Sequence, residues 1–416
     1  MILRDYQIKI ANEASVKLIN FKIVYLACEV RVGKTLMALE TANIYKAKRV
    51  LFITKKKAIS SIQKDYDAMN YQFDLTVINY ESLHLITLEF DLVIIDEAHR
   101  LSAFPKPCLA AKLIKERYSK LPMILLSGTP TPESYSQIYH QMWISNVSPF
   151  RDYVNFYKWA KVFVNVKVLN FGYAPINDYS EAKQEEIIKF TDRYFIRFTQ
   201  QEAGFTSVIE QEVLTCQMSE LTIDLCERLK THRVIEGKKE TILADTAVKL
   251  MNKIHQLCSG TVIFESGNFQ VIDTSKADLI KERFKHEKIA IFYKFKAELQ
   301  MLKQVFGNNI CESLEEFNST TKNIALQIVS GREGINLSAA KYIVYLNIDF
   351  SAVSFWQSRD RMTTKERLRN QIYWVFSEHG IEHEIYQKVL NKQDFTLSHF
   401  NNYVRKQNTV KDYQAV

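Results

Sequence analysis

Cys28-Glu29-Val30-Arg31-Val32-Gly33-Lys34-Thr35 is the stretch whose reading decides the fold of this chain. It follows the apolar run Ile23-Val24-Tyr25-Leu26-Ala27 and precedes Leu36-Met37-Ala38-Leu39-Glu40-Thr41-Ala42, which reads as a helix. A strand, a tight loop ending Gly-Lys-Thr and a helix make the architecture of a phosphate-binding loop. Backbone N–H groups at the helix N-terminus and the Lys34 ammonium favour a polyphosphate, and the Thr35 hydroxyl suits its magnesium. The full pattern opens with glycine five residues before Gly33, where this chain has Cys28. A Gly-Lys-Thr triplet alone is a weak signal, so the surrounding chain has to decide.

Working outward, further apolar runs end in polar residues. Arg49-Val50-Leu51-Phe52-Ile53-Thr54 reads as a buried strand running into Lys55-Lys56-Lys57, a solvated face or a phosphate contact. Leu75 to Tyr80 is a third strand. Asp91-Leu92-Val93-Ile94-Ile95 runs straight into Asp96-Glu97-Ala98-His99. Carboxylates at the carboxyl end of a parallel strand lie where open α/β sheets bind ligands. Asp96 is suited to hold magnesium there, and Glu97 to orient and deprotonate a water attacking a phosphate. A further strand, Met123-Ile124-Leu125-Leu126, ends in Ser127-Gly128-Thr129-Pro130. Strands alternating with helical patterns predict a parallel sheet flanked by helices.

The totals fit this reading. A chain of 416 residues predicts two or three domains, and 47% hydrophobic with 25% charged residues is ordinary for a globular protein. No apolar run approaches the roughly 20 residues that span a bilayer, and the first residues show no leader pattern, so no membrane partner is expected. Six cysteines without a Cys-x-x-Cys pair predict free thiols, and His379 with His383 lacks the further ligands of a zinc site. The net charge of +8 suits a polyanion.

Gly-Lys-Thr, Asp-Glu-Ala-His and Ser-Gly-Thr-Pro, each ending a strand and in this order, resemble the first lobe of superfamily 2 helicases and translocases. Leu3-Arg4-Asp5-Tyr6-Gln7 is similar to the family's adenine-reading motif, which implies Gln7 as partner of the base. Arg193 to Thr199 and Gln256-Leu257-Cys258-Ser259-Gly260 resemble Swi/Snf-type translocases. Ser330-Gly331-Arg332-Glu333-Gly334-Ile335-Asn336-Leu337 resembles the fifth motif, and Phe355-Trp356-Gln357-Ser358-Arg359-Asp360-Arg361 the sixth.

The resemblance implies an α/β chain of two RecA-like parallel-sheet lobes, with a helical and aromatic-rich insertion and linker between them. The boundaries expected are lobe 1 over 1–140, the insertion over 141–205, a helical linker over 206–272, lobe 2 over 273–400 and a polar tail over 401–416. Most aromatics of the insertion are expected in its core. ATP and Mg2+ are the implied ligands: Gln7, Arg31, Val32, Gly33, Lys34, Thr35, Gly334 and Gln357 for ATP, Thr35 and Asp96 for the metal. Lys34, Glu97 and Arg361 carry catalysis, with Arg361 as arginine finger. His99, Lys55, Lys56, Ser127, Gly128, Thr129, Gly331, Arg332 and Asn336 are implied in coupling and nucleic-acid contact.

Two departures stand out. A second finger arginine, seven residues after Gln357, would fall on Thr364, and Arg31 stands where Swi/Snf-type loops carry glycine. An arginine there would supply charge that the sixth motif lacks. Resemblance to compact phage-type members implies a cytoplasmic, DNA-dependent ATPase moving along duplex or forked DNA, with a replication or recombination loading protein as a possible partner. The alternatives are a nucleotide-gated DNA-binding scaffold with vestigial hydrolysis, or an RNA helicase.

Overall fold

The structure, a computed structural model, describes residues 2–170, 175–205, 208–328, 337–351, 369–391, 399, 400 and 403. The chain divides into two compact units, Met1–Phe205 and Thr206–Val416.

The first unit opens with helix α1 (Asp5–Phe21), whose Ile10, Ala14 and Leu18 repeat at helical spacing and are buried. It ends at Lys22 in the left-handed conformation and feeds β1 (Ile23–Cys28). The elements that follow are α2 (Lys34–Ile44), β2 (Arg49–Thr54), α3 (Ile59–Asp67), β3 (Asp74–Asn79), β4 (Leu92–Ile95), α4 (Leu109–Tyr118) and β5 (Met123–Leu126). Next come α5 (Ile138–Trp143), α6 (Phe156–Phe163), the hairpin β6 (Lys167–Asn170) with β7 (Pro175–Asp178), α7 (Gln184–Thr191) and β8 (Phe195–Phe198).

Six strands form one sheet in the order β3-β2-β4-β5-β1-β8, every pair parallel. Both faces are covered, which is why the central strands read as unbroken apolar runs. Val24, Leu26, Phe52 and Ile94 pack with α1 and α2 on one face, whereas Tyr25, Ile53, Ile95 and Leu125 face the other core. That second core holds Phe150, Phe156, Trp159 and Phe163, so the aromatic-rich region is chiefly interior, with Tyr157 exposed.

In the second unit, β9 (Val208–Cys216) precedes α8 (Glu220–His232), hairpin β10 (Val234–Glu236) with β11 (Thr241–Leu243), α9 (Ala247–Cys258) and hairpin β12 (Thr261–Ile263) with β13 (Phe269–Val271). Then follow α10 (Ser275–Arg283), β14 (Ile289–Tyr293), α11 (Lys296–Phe306), β15 (Ile310–Cys311), α12 (Leu314–Ser319), β16 (Asn323–Gln327), β17 (Tyr342–Tyr345), β18 (Arg369–Ser377) and a closing helix, Ile381–Leu390.

The second six-stranded sheet, β15-β16-β14-β17-β18-β9, is again wholly parallel. Two α/β units, each built on a six-stranded parallel sheet, are therefore present, as expected. The region expected as a helical linker differs from expectation. Its first strand, β9, is an integral edge of this sheet and pairs with β18 along its whole length, Val208 opposite Arg369 through Cys216 opposite Ser377. Glu210, Gln211 and Glu212 in mid-strand break the apolar run that would have announced it, because an edge strand buries less. Gln211 nevertheless accepts a hydrogen bond from the buried Trp374 indole at 3.2 Å.

Among the described residues no helix is long and apolar enough to cross a membrane, no group of His, Cys, Asp and Glu could hold a metal as a cluster, and all six cysteines are free.

Candidate functional site

The loop between β1 and α2 lies at the carboxyl edge of the first sheet. Gly33 caps α2 with φ +87°, and a Cβ there would stand 2.2 Å from Gln7 Nε2, so glycine is needed for backbone conformation and for space. Gln7 is buried, donates through Nε2 to the Val32 carbonyl at 3.2 Å, and accepts from Arg4 N at 2.9 Å. It therefore supports the loop from beneath. Tyr6 Oη donates to the same carbonyl at 3.2 Å.

Lys34 Nζ donates to the carbonyls of Cys28 and Glu29 at 3.0 Å each, folding the ammonium across the loop mouth. Cys28 fills the position of the absent first glycine. Burial pushes its thiol up to about 12 despite the nearby Lys34 charge, so it stays protonated and packs as a small apolar group. Arg31 adopts φ +64° inside the loop, a conformation unusual for a residue with a side chain.

Two strands away, β4 delivers the carboxylates. Asp96 N is held by the Ile53 carbonyl at 2.9 Å, continuing the ladder beyond β4. Its Oδ2 accepts from Thr54 Oγ1 at 2.8 Å and its Oδ1 from Glu97 N at 3.0 Å, while Tyr80 Oη donates to its carbonyl at 2.5 Å. Burial pushes the Asp96 carboxyl up to about 6, and repulsion from Glu97 adds to this; the Thr54 bond and the Lys34 charge pull the other way. Glu97 itself sits at φ +51°, ψ +47°, a left-handed turn that ends the strand abruptly. Strain of this kind, of order 1–3 kcal/mol, persists where surrounding structure over-determines it and clusters at functional sites.

The turn after β5 meets this pair. His99 Nδ1 lies 3.0 Å from Ser127 Oγ and 3.3 Å from Glu97 Oε2, so one imidazole nitrogen faces both the strand-end carboxylate and the neighbouring turn. Ser127 Oγ also accepts from Thr129 N at 3.1 Å. A Cβ on Gly128 would stand 3.6 Å from Lys34 Nζ, which places this turn against the loop lysine. Thr129 Oγ1 is buried with no hydrogen-bond partner among the described residues. Lys55 and Lys56 follow β2 directly, on the edge that Thr54 shares with Asp96, and Lys56 is exposed.

The donor set fits a magnesium–nucleotide. The Thr35 hydroxyl and the Asp96 carboxylate are the hard oxygen ligands magnesium takes, and a carboxylate whose pKa is raised by burial and then by its acidic neighbour is relieved by a cation. Lys34, the α2 N-terminus and the loop backbone supply the complement for phosphates.

Within the first unit the structure thus brings Gln7, Val32, Gly33 and Lys34 together, and likewise Asp96, Glu97, His99 and Ser127. Gly331, Arg332, Gly334, Asn336, Gln357, Arg361 and Thr364 lie outside the described residues. Sequence reading missed Thr54, Tyr80 and Gln200. Thr54 had one legible signal, a hydroxyl closing an apolar strand; Tyr80 meets the Asp96 backbone 16 positions on, and Gln200 meets Val30 across 170 positions, at spacings no motif marks.

A family model described as the SNF2-related domain matches residues 26–261, more than half of the chain. No curated protein matches. Among solved structures, the Sulfolobus solfataricus SWI2/SNF2 ATPase core domain is similar at 16% sequence identity and a TM-score of 0.43, over 94% of this chain and 89% of that one.

Proposed function

Because this chain belongs to the SNF2-related family, we propose that it is an ATP-driven motor that moves along DNA. The observation that carries the reading is the meeting, on one sheet edge, of the Lys34 phosphate loop with the Asp96–Glu97 pair, whose charges interact. In this reading Lys34 and the loop backbone bind the β- and γ-phosphates, and Gln7 reads the adenine. Thr35 and Asp96 hold magnesium, which when bound neutralises phosphate charge. Glu97 orients the attacking water and takes its proton, with His99 relaying its position to Ser127. Lys55 and Lys56 contact DNA phosphates.

Arg361 is proposed as finger on sequence grounds, with Gln357, Gly334, Gly331, Arg332 and Asn336 completing the second lobe's share. Arg31 is proposed to add charge at the terminal phosphates. Arg31→Ala should lose ATPase with the fold intact, and unchanged turnover removes it from the site.

The deciding experiment measures ATP turnover with and without duplex DNA, beside displacement of a triplex-forming strand. DNA-stimulated turnover that Glu97→Gln lowers by roughly 10²–10⁴-fold is expected. Thr364, at the position where the family resemblance implies a second arginine, favours one other reading, a nucleotide-gated DNA-binding scaffold. Nucleotide binding without turnover would establish that reading, and stimulation by RNA alone would redirect the substrate.

A further inference from the structure

The phosphate loop is gripped from outside as well as from within. Tyr6 and Gln7 hold the Val32 carbonyl from the start of α1, both at 3.2 Å. The other grip comes from 170 residues further along the chain, where Gln200 Nε2 donates to the Val30 carbonyl at 3.0 Å. The Gln200 backbone N–H donates to Glu29 Oε2 at 2.7 Å. Two residues earlier, the ladder between β1 and β8 runs one bond past its strands, from Glu29 N to the Phe198 carbonyl at 2.9 Å. The Phe198 ring stacks on Tyr6 at 5.0 Å, which closes a circuit from α1 through the loop to the exit of the first unit.

The exit segment is itself a braced turn. Glu202 Oε2 accepts from Thr199 N at 2.7 Å and from Thr199 Oγ1 at 2.8 Å, and Glu202 N donates back to Thr199 Oγ1 at 3.1 Å. Ala203 and Phe205 are buried in the core shared with α1 and α2. Residues 199–205 are therefore one braced segment, tied at Thr199–Glu202 and anchored at Ala203 and Phe205.

A bland account has Gln200 merely satisfying a loop carbonyl. Two features go beyond it. Gln200 fastens the loop segment next to the phosphate-reading residues, and a cavity of about 240 Å³ opens at its neighbour Thr199, lined also by Glu29, Gly128, Arg197 and Phe198. The Thr199 end of the segment thus faces open space, while Ala203 and Phe205 anchor its other end in the core.

We propose that Gln200 is a positioning residue, a latch that sets the phosphate loop and passes nucleotide occupancy of that loop to residues 199–205. The inference rests on the nucleotide-binding reading given above. Its test is hydrogen exchange by mass spectrometry on the full chain, with and without MgADP, alongside titration of a fluorescent ADP. Wild type, Gln200→Ala and Gln200→Lys are compared.

In wild type, the amides of 199–205 should gain protection on adding MgADP. Gln200→Ala should abolish that gain and weaken ADP binding about 5–10-fold, the scale of one lost hydrogen bond. Gln200→Lys, whose ammonium can still donate to the Val30 carbonyl, should restore both. If wild type binds ADP and 199–205 does not respond, or if the alanine variant responds like wild type, the latch is overturned. A wild type that binds no nucleotide overturns the functional reading beneath it instead. Should Gln200→Ala unfold the first unit, Gln200→Glu, which keeps the bulk and removes the donor, replaces it with the same outcomes.

Discussion

Lys276 and Glu382 make an ion pair wholly inside the second unit, and its removal can be followed quantitatively. Lys276 Nζ lies 2.5 Å from Glu382 Oε1, and both side chains are 0% exposed. Ser377 Oγ donates to the other carboxylate oxygen at 3.1 Å. Gly380 permits the arrangement, since a Cβ there would stand 2.0 Å from Glu382 Oε2 and 1.9 Å from Ser377 Oγ. At an effective dielectric near 20, attraction at this distance is roughly 6–7 kcal/mol, of the same order as the several kcal/mol per ion needed to strip water from both partners. The pair is thus near balance as a whole, while either half alone is costly.

Lys276→Met should therefore destabilise the second unit by about 3–5 kcal/mol, because Glu382 is left buried with Ser377 as its remaining partner among the described residues. Glu382→Leu should cost a similar amount. The double variant should return to within about 1–2 kcal/mol of wild type. Each unit has its own sheet and core, so the assay is urea-dependent hydrogen exchange of the Ile372–Phe376 amides, which report the second sheet. Single substitutions costing under about 1 kcal/mol, or a double variant as weak as the sum of its singles, would refute the near-balance argument.

Further outcomes are expected. His140 is buried among Tyr139, Trp143 and Phe156, with Nδ1 2.6 Å from the Ala103 carbonyl, and burial pushes its pKa down to about 4 from 6.5. The unfolded chain takes the proton first as pH falls, so this contribution is complete above about 6.5 and lost toward 4. Between pH 7 and 5 the first unit should lose about 2 kcal/mol, read from urea midpoints, and His140→Phe should flatten that slope. Gly33→Ala should displace Gln7 and weaken ADP binding at least tenfold, given the 2.2 Å overlap and φ of +87°. Gly260→Ala, with a Cβ 2.1 Å from the Asp273 carbonyl oxygen, should destabilise the second unit by more than about 2 kcal/mol. Gly267→Ala, at φ +88° with nothing within 4 Å, should cost only about 1 kcal/mol, so the difference isolates the overlap.

The central strands of both sheets were legible because burial on two faces demands unbroken apolar runs, as in Val50–Ile53 and Ile289–Phe292. β9 was not, because an edge strand tolerates Glu210, Gln211 and Glu212 in its middle. At the candidate site, Asp96 and Glu97 were legible from a strand end, where a switch from apolar to polar marks the ligand edge, and Lys34 from the Gly-Lys-Thr triplet between strand and helix. Gln200 and Tyr80 were hidden for another reason. Each reaches the site through one hydrogen bond or two, to backbone or carboxylate, a relation that leaves no spacing in the chain.

The pairing of β9 with β18 also bears on how the protein is made. Glu210 and its partner Gln371 are separated by 161 positions. A chain emerging from the ribosome can complete the first sheet once Phe198 is out, whereas β9 must wait, unpaired, until β18 has been translated. A translational pause between the two would leave Val213 and Leu214 exposed on a strand with no neighbour, a template for another copy's edge. Its glutamates at 210 and 212 put charge on that strand for the duration of the wait. A fragment beginning after Cys216 would carry the opposite liability for good, an uncovered β18 edge bearing Ile372, Trp374 and Phe376.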